Sequence, residues 1–440
     1  MFYRKISKTI NDYLENKEAK ILCVDGARQV GKSFIIRQCA SKKFKNYVEI
    51  NMADDKNGDK LFESVGTIND FYLQVSVIAG NKLGSFDDTI IFIDEIQEYP
   101  RLLTLLKPLK ADNRFKYICS GSQLGIALSN TELIPIGSFE EVKMYPMDFE
   151  EFLLANSVGS DVISYMKDSY INKRSLENNL HNKILNLFKT YLYVGGMPEA
   201  VKEYVETKNV FAIRKTQSDI YKYYGDDASK YDKENRLKIK MIYDLVPSNI
   251  ENKVKRLQFK MIENIDDARY QRYINEFDYL ISSGIVLDTR AISEPKFPLL
   301  QSSCKNLLKL YMNDVGLLTN CLYKNNINAI LNNQTGVNLG AVYETVVAQE
   351  LKCHGHSLYY YDRKKVGEVD YLIDDYDNLS VLPIEVKSGQ DERNFRALPK
   401  LINNENYKMK YGIVLSNNRD VMIENKIIYM PIYYAMFIWL

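Results

Sequence analysis

"GARQVGKS" (Gly26 to Ser33) follows directly on the apolar run "ILCV" (Ile21 to Val24) and leads into "FIIRQCA". The stretch fits the spacing G-x-x-x-x-G-K-[ST], placed between an apolar strand and a helix. Its glycines let the backbone curl so that successive N–H groups point at a phosphate, and the following helix adds the positive end of its dipole. Gly26, Ala27, Arg28, Gln29, Val30, Gly31, Lys32 and Ser33 would together form the cradle. Lys32 would reach the β- and γ-phosphates of ATP, and Ser33 would offer a hydroxyl to Mg2+. A chance glycine turn is the competing explanation, and the surrounding sequence weighs against it.

That context is "TIIFIDE" (Thr89 to Glu95). Its apolar residues end in Asp94-Glu95, which puts two carboxylates at the C-terminal end of a buried strand, the edge where open parallel sheets bind ligands. Asp94 would hold Mg2+ through its water shell. Glu95 would orient and activate the attacking water. The run "FKYICSGS" (Phe115 to Ser122) ends in Ser120-Gly121-Ser122, which either brings a hydroxyl near the γ-phosphate or makes a plain turn. Helices are expected over residues 3–16, from about Lys32, and near "INDFYLQVSVIAG", with a further strand at "YVEINM". Continuous β-branched runs alternating with helical patterns predict a parallel sheet covered on both faces.

The chain of 440 residues is long enough for two to four domains, and its 46% hydrophobic content allows a core in each. With 58 basic against 57 acidic residues the net charge is +1, so any nucleic-acid surface must be a local patch. Six cysteines form no C-x-x-C pair and no metal-like spacing, which points to a reduced, cytoplasmic protein. The start "MFYRKISKTINDYLENKEAK" has no signal-like apolar stretch, and no run is long enough to span a membrane. The terminal "IIYMPIYYAMFIWL" is short and broken by Pro431, and reads as a buried strand and helix.

From about Phe149 to Tyr224 the pattern is helical. Residues 231–300 then show three short helices and an extended "LDTRAI", the order of a winged helix-turn-helix. Lys238, Lys240, Lys253, Lys255, Arg256 and Lys260 cluster there, as a DNA-backbone contact requires. The interspersed Asp244 and Glu251 leave a protein-contact role equally open. After about Asn338 come a helix ("GAVYETVVAQELKCHG"), strands "LYYYDR", "EVDYLIDD" and "VLPIEVKSG", a helix and the strand "KYGIVLS": a mixed α/β unit. Glu385 and Lys387 share a strand face, and Asp370 ends the neighbouring strand. Asp370 and Glu385 there could hold Mg2+ while Lys387 steadies a water or a developing charge.

"GARQVGKS", "IIFIDEIQEYP", "YICSGSQLG" and "KMYPMDFEEFL", in this order, resemble the AAA+-type ATPases of bacteria and archaea that carry a C-terminal domain of uncharacterised function. "YVGGMPEAV", "VPSNIENKVKRLQF", "ISEPKFPL", "LYMNDVGLL" and "LGAVYETVVAQEL" extend the likeness along the chain. The resemblance implies ATP binding and hydrolysis with Mg2+. It departs at "PIGSFEE", where the family tends to carry a basic residue and this chain has Ser138; Arg28 and Arg101 are the candidate substitutes. Asp370 with Glu385-Val386-Lys387 resembles the D…E-x-K arrangement of restriction-endonuclease-like nucleases, in which helix-borne Glu344 matches the early acid.

The expected fold class is thus α/β, in four parts. These are an AAA+-type parallel-sheet ATPase domain at 1–155, a helical segment at 156–228, a winged-helix domain at 229–335 and a restriction-endonuclease-like α/β domain at 336–440. The expected function is an ATPase whose nucleotide state is coupled to a nucleic-acid-binding or nuclease-like module. The alternative is a nucleotide-dependent switch that binds protein partners through an inactive nuclease-like fold. The sequence leaves the oligomeric state open.

Overall fold

Four of the apolar runs become neighbouring parallel strands in a computed structural model of the chain, which describes residues 2–129, 137–231, 236–251, 262, 270–332, 339–389, 393 and 395–440. The chain divides into two compact units. One is Met1–Tyr145 with Ser282–Gly284; the other is Pro146–Ile281 with Ile285–Leu440.

The first unit holds β1 (Ile21–Asp25), β2 (Asn46–Asn51), β3 (Thr89–Asp94), β4 (Lys116–Gly121) and β5 (Phe139–Lys143). They form one sheet in the order β2-β3-β4-β1-β5, every pairing parallel. β1, β3 and β4 are buried at every position, as strands covered on both faces must be. β5, "FEEVK", is the exception: it closes an edge, and its Glu140, Glu141 and Lys143 hide it from a search for apolar runs. Cys23, Ile91, Ile93 and Cys119 share a core with Phe71, Val75, Leu102 and Leu106 from the covering helices.

Those helices have legible ends. Thr67 and Asp70 form a capping box at the start of Ile68–Ala79, a device worth about 1 kcal/mol. Pro100 opens Pro100–Asp112, where its missing N–H costs nothing. The chain leaves that helix through Asn113 in the left-handed region. The first helix, Ile6–Glu15, buries Ile10, Tyr13 and Leu14, and the Tyr13 hydroxyl donates to the Tyr117 carbonyl of β4.

The second unit is helical up to Glu251, with helices Phe149–Ala155, Ser160–Ile171, Asn178–Val194, Pro198–Thr207, Val210–Tyr231 and Arg236–Glu251. Its strands are β6 (Val286–Ile292), β7 (Ser303–Met312), β8 (Tyr359–Arg363), β9 (Gly367–Asp375), β10 (Ser380–Val386), β11 (Gly412–Ser416), β12 (Met422–Glu424) and β13 (Ile427–Pro431). They make one mixed eight-stranded sheet in the order β12-β13-β11-β10-β9-β8-β6-β7. β6 pairs parallel with β8, so the sheet runs through the boundary drawn at 335/336. β7, absent from the sequence reading, pairs antiparallel with β6. Of the basic cluster, Lys253, Lys255, Arg256 and Lys260 lie outside the described residues.

Helix Gly340–Cys353 is buried from Ala341 through Leu351 and so turns no face of that stretch to solvent, its Glu344, Gln349 and Glu350 included. The chain's last apolar run is β13 followed by a 3-10 turn, Ile432–Phe437, buried throughout. Among the described residues no helix is long and apolar enough to cross a membrane.

At the end of β1 the chain comes very close to the exit of β5. The Met144 amide donates to the Asp25 carbonyl at 2.7 Å, and a Cβ built on Gly26 would lie 2.1 Å from the Met144 carbonyl oxygen. Backbone cannot yield as a side chain can. Gly26→Ala is expected to destabilise the first unit by about 2–4 kcal/mol, read as a lower thermal midpoint; an unchanged midpoint would show that the strand ends part freely.

Candidate functional site

The loop after β1 turns on two left-handed residues, Gln29 at φ 65° and Gly31 at φ 96°. Gly31 caps the helix Lys32–Lys43, so the first free amides of that helix face the loop. Lys32 is 5% exposed, and its ammonium donates to the carbonyls of Gly26 (2.8 Å) and Ala27 (2.9 Å). Burial lowers its pKa, against the pull of the Glu95, Asp25 and Asp94 carboxylates.

Because β4 lies between β1 and β3, two strand ends and the helix after β1 deliver side chains to one point. Ser33 Oγ donates to Asp94 Oδ2 at 2.7 Å, and Ser120 Oγ at the end of β4 donates to Asp94 Oδ1. Burial raises the pKa of Asp94, and the hydroxyls of Ser120 and Ser33 oppose that rise. A buried carboxylate flanked by a loop hydroxyl is the hard oxygen donor set that Mg2+ takes, so Ser33 and Asp94 fit the ion expected here. Glu95 follows at φ 51°, a strained backbone for a residue with a side chain. Its Oε2 accepts from Gln97 Nε2 and from Ser122 Oγ at 3.2 Å. Ser122 in turn accepts from Arg28 Nε at 3.2 Å. The seryl pair thus divides, Ser120 to Asp94 and Ser122 to Glu95. Arg28 belongs to this network and also lies 3.7 Å from Glu98, whereas Arg101 is exposed at the start of its helix. Ser138 is buried and gives its carbonyl to the Ile21 amide.

Two contributors escape the sequence pattern. Gln97 lies two residues beyond Glu95, where no motif marks it. Arg4 is only 8% exposed; its guanidinium donates to the Val30 carbonyl at 2.8 Å and the Tyr145 carbonyl at 2.6 Å. It ties the crest of the loop to the strand exit 141 residues away.

In the second unit, Glu344, Asp370 and Glu385 are all buried. The β9–β10 register pairs Ile384 with Tyr371, which sets Asp370 opposite Glu385 on one face. Each acid already meets a donor: Asp370 Oδ2 accepts from the Val386 amide at 2.8 Å, Glu385 Oε1 from Lys387 Nζ at 2.8 Å, and Glu344 Oε2 from the Tyr311 hydroxyl at 3.3 Å. Burial raises the Glu385 pKa; Lys387 lowers it, and Glu344 and Glu368 raise it further. Glu368 is paired with buried Lys309. Among the described residues these acids do not form a set of three with donor atoms within 4.8 Å of one another. Of the basic cluster, Lys240 pairs with Asp226 at 3.0 Å.

Residues 18–153 match the model of an AAA domain, 185–328 a domain of unknown function (DUF8612) and 339–435 another (DUF4143). The N-terminal part of the chain is therefore an AAA-type P-loop ATPase domain. No curated protein matches the chain. Among solved structures, a Walker-type ATPase of Pyrococcus abyssi is similar at 15% identity and TM-score 0.43, over 73% of this chain and 96% of that one. PCH-2 of C. elegans is similar at 13% identity and TM-score 0.27, over 48% and 65%. The Hsp104–ADP complex of S. cerevisiae is similar at 11% identity and TM-score 0.29, over 64% and 38%. These overlaps are loose, and the domain assignment rests on the family match and the site geometry.

Arg4→Met leaves two carbonyls without their donor, a loss of about 1–3 kcal/mol. The variant is expected to show a lower thermal midpoint and weaker nucleotide binding, measured by calorimetric titration with ATP. Unchanged affinity would separate Arg4 from the loop's shape.

Proposed function

We propose that the chain hydrolyses ATP with Mg2+ in its first unit and couples nucleotide state to a nucleic-acid-handling module in the second. The observation that carries the ATPase reading is the pair of hydrogen-bond sets at the mouth of the loop, Ser33 and Ser120 on Asp94 and Ser122 and Gln97 on Glu95. Amides of the loop and of the helix start cradle the phosphates, and Lys32 supplies a positive charge to the terminal pair. Ser33 and Asp94 would hold Mg2+, which when bound would neutralise charge on the transferred phosphoryl group. Glu95 takes the proton of the attacking water. Ser122 accepts from Arg28 and so turns its single O–H toward Glu95 Oε2, which Gln97 also meets. Both donors fall on one oxygen, so Oε1 is the oxygen that receives the proton.

The nuclease-like reading of the second unit is supported by Asp370 and Glu385 on one face with Lys387 two residues on. DNA is the substrate this reading names. A second reading, an inactive module that binds a protein partner, is favoured by one observation: the Val386 amide and the Lys387 ammonium each already hold one oxygen of Asp370 and Glu385, in competition with a metal ion.

Lys32→Ala is expected to weaken ATP binding, while Glu95→Gln binds ATP but loses about 10²–10⁴ of the hydrolysis rate. A Glu95→Gln enzyme with unchanged turnover would remove Glu95 from the reaction. Plasmid nicking that needs Mg2+ or Mn2+ and disappears in Asp370→Ala supports the nuclease reading. No nicking by the wild-type chain, with or without ATP, leaves the protein-binding reading.

A further inference from the structure

The chain has three histidines, and none entered the sequence reading. One of them lies between two buried carboxylates. Asp148, Glu350 and His354 are 3%, 1% and 3% exposed, and one donor atom from each lies within 4.8 Å of the others. His354 Nε2 is 3.6 Å from Asp148 Oδ2 and 3.9 Å from Glu350 Oε2. Both distances exceed those of a nitrogen–oxygen hydrogen bond, and Nε2 has no hydrogen-bond partner among the described residues.

The three side chains are held from behind. Asp148 Oδ1 accepts from the Glu151 amide at 2.9 Å and Glu350 Oε1 from the Phe149 amide at 2.8 Å, both in the first turn of helix Phe149–Ala155. Each acid thus spends one oxygen on that helix and turns the other toward His354. Glu350 and His354 are four apart, on the last turn of helix Gly340–Cys353 and its cap. His354 Nδ1 lies 2.9 Å from the Ile438 carbonyl. A carbonyl only accepts, so Nδ1 carries the proton, and in the neutral ring Nε2 presents its lone pair to the carboxylates.

We infer that Asp148, Glu350 and His354 form a buried site for a divalent transition-metal ion of the zinc type. Two carboxylates with a neutral imidazole sum to a charge that a divalent cation cancels, whereas the same acids buried alone would be costly. Donors about 2.0–2.2 Å from a tetrahedral ion lie about 3.3–3.6 Å apart, so His354 Nε2 already lies at or within a few tenths of an ångström of the spacing it needs from each carboxylate. Imidazole nitrogen among the donors favours a zinc-like ion over Mg2+ or Ca2+. The site lies away from solvent and would be loaded as the unit folds, stiffening the joint between the two helices and the C-terminal segment.

The structure supplies its own reporter. Trp439, the chain's single tryptophan, stacks on the His354 ring with centroids 4.0 Å apart and planes at 22°. Paramagnetic Co2+ at Nε2 would quench its emission. The test titrates Co2+ into the untagged, chelator-stripped full chain while exciting tryptophan selectively, and repeats it after preloading with Zn2+. The expected result is saturation at one equivalent per chain, protection by Zn2+, and a thermal midpoint raised by Zn2+. His354→Gln should weaken the effect by about a hundredfold or more. Asp148→Asn keeps an oxygen for the Glu151 amide, so the helix start survives while the charge is lost; it should weaken binding at least tenfold. Quenching that is absent, or equal in wild type and both variants, overturns the site. So does emission that responds to pH but not to metal, the mark of a protonated imidazole lying between two acids.

Discussion

The carboxylate of Asp94 is the constraint on which the first unit turns. It is buried at the end of β3, two strands from the strand that carries the loop, and both its oxygens accept hydroxyl protons. Ser33 can reach it only if the loop's helix starts above β3; Ser120 can reach it only if β4 lies between. Strand order, loop conformation and helix start are therefore one problem with one solution. The close approach of Gly26 to Met144 follows, because β1 must end level with its neighbours for the loop to turn there. Burying an acid in this way has a cost, visible in its raised pKa, and the two hydroxyls offset part of it. A metal ion would offset the rest.

Much of this was legible from residues alone. β1, β3 and β4 are continuous apolar runs because helices cover both their faces, and the loop and acids sit where such strands end. What escaped depends on distant chain. Arg4 reads as one basic residue near the start until Val30 and Tyr145 close over it. β5 is charged because it closes the sheet at an edge. β7, "SCKNLLKLYM", mixes lysines into its apolar residues, and Lys309 is buried only because Glu368 and the ring of Tyr360 receive it. Gln97 has no spacing rule to betray it.

In the second unit the sequence pattern expects Asp370, Glu385 and Lys387 on one face; the antiparallel register sets Asp370 opposite Glu385, and Lys387 follows just past the end of β10. Periodicity fixes direction but is silent on occupancy. Whether an acid faces a metal, an amide or an ammonium depends on the reach of neighbours, here Lys387 Nζ and the Val386 N–H. Histidine has no such periodic signature. His354 follows a helix buried on all sides, and its meaning comes only from Asp148, some two hundred residues earlier, and from Ile438 at the other end of the unit.

The two acidic clusters of this unit show why the nature of the basic neighbour decides what an acid pair can do. An ammonium such as Lys387 brings its own positive charge and no lone pair, so beside Glu385 it does part of a cation's work and competes with one. A neutral imidazole brings no charge and one lone pair, so beside Asp148 and Glu350 it adds a donor and leaves the negative charge to be cancelled from outside. The raised pKa of Glu385 points the same way. Lys387 only partly relieves an acid that burial, Glu344 and Glu368 all push toward its protonated form. Metal binding at that face therefore competes with a proton on Glu385 and with the Lys387 ammonium. At His354 the backbone carbonyl already holds the ring's proton on the far nitrogen, and the near one has only to meet an ion.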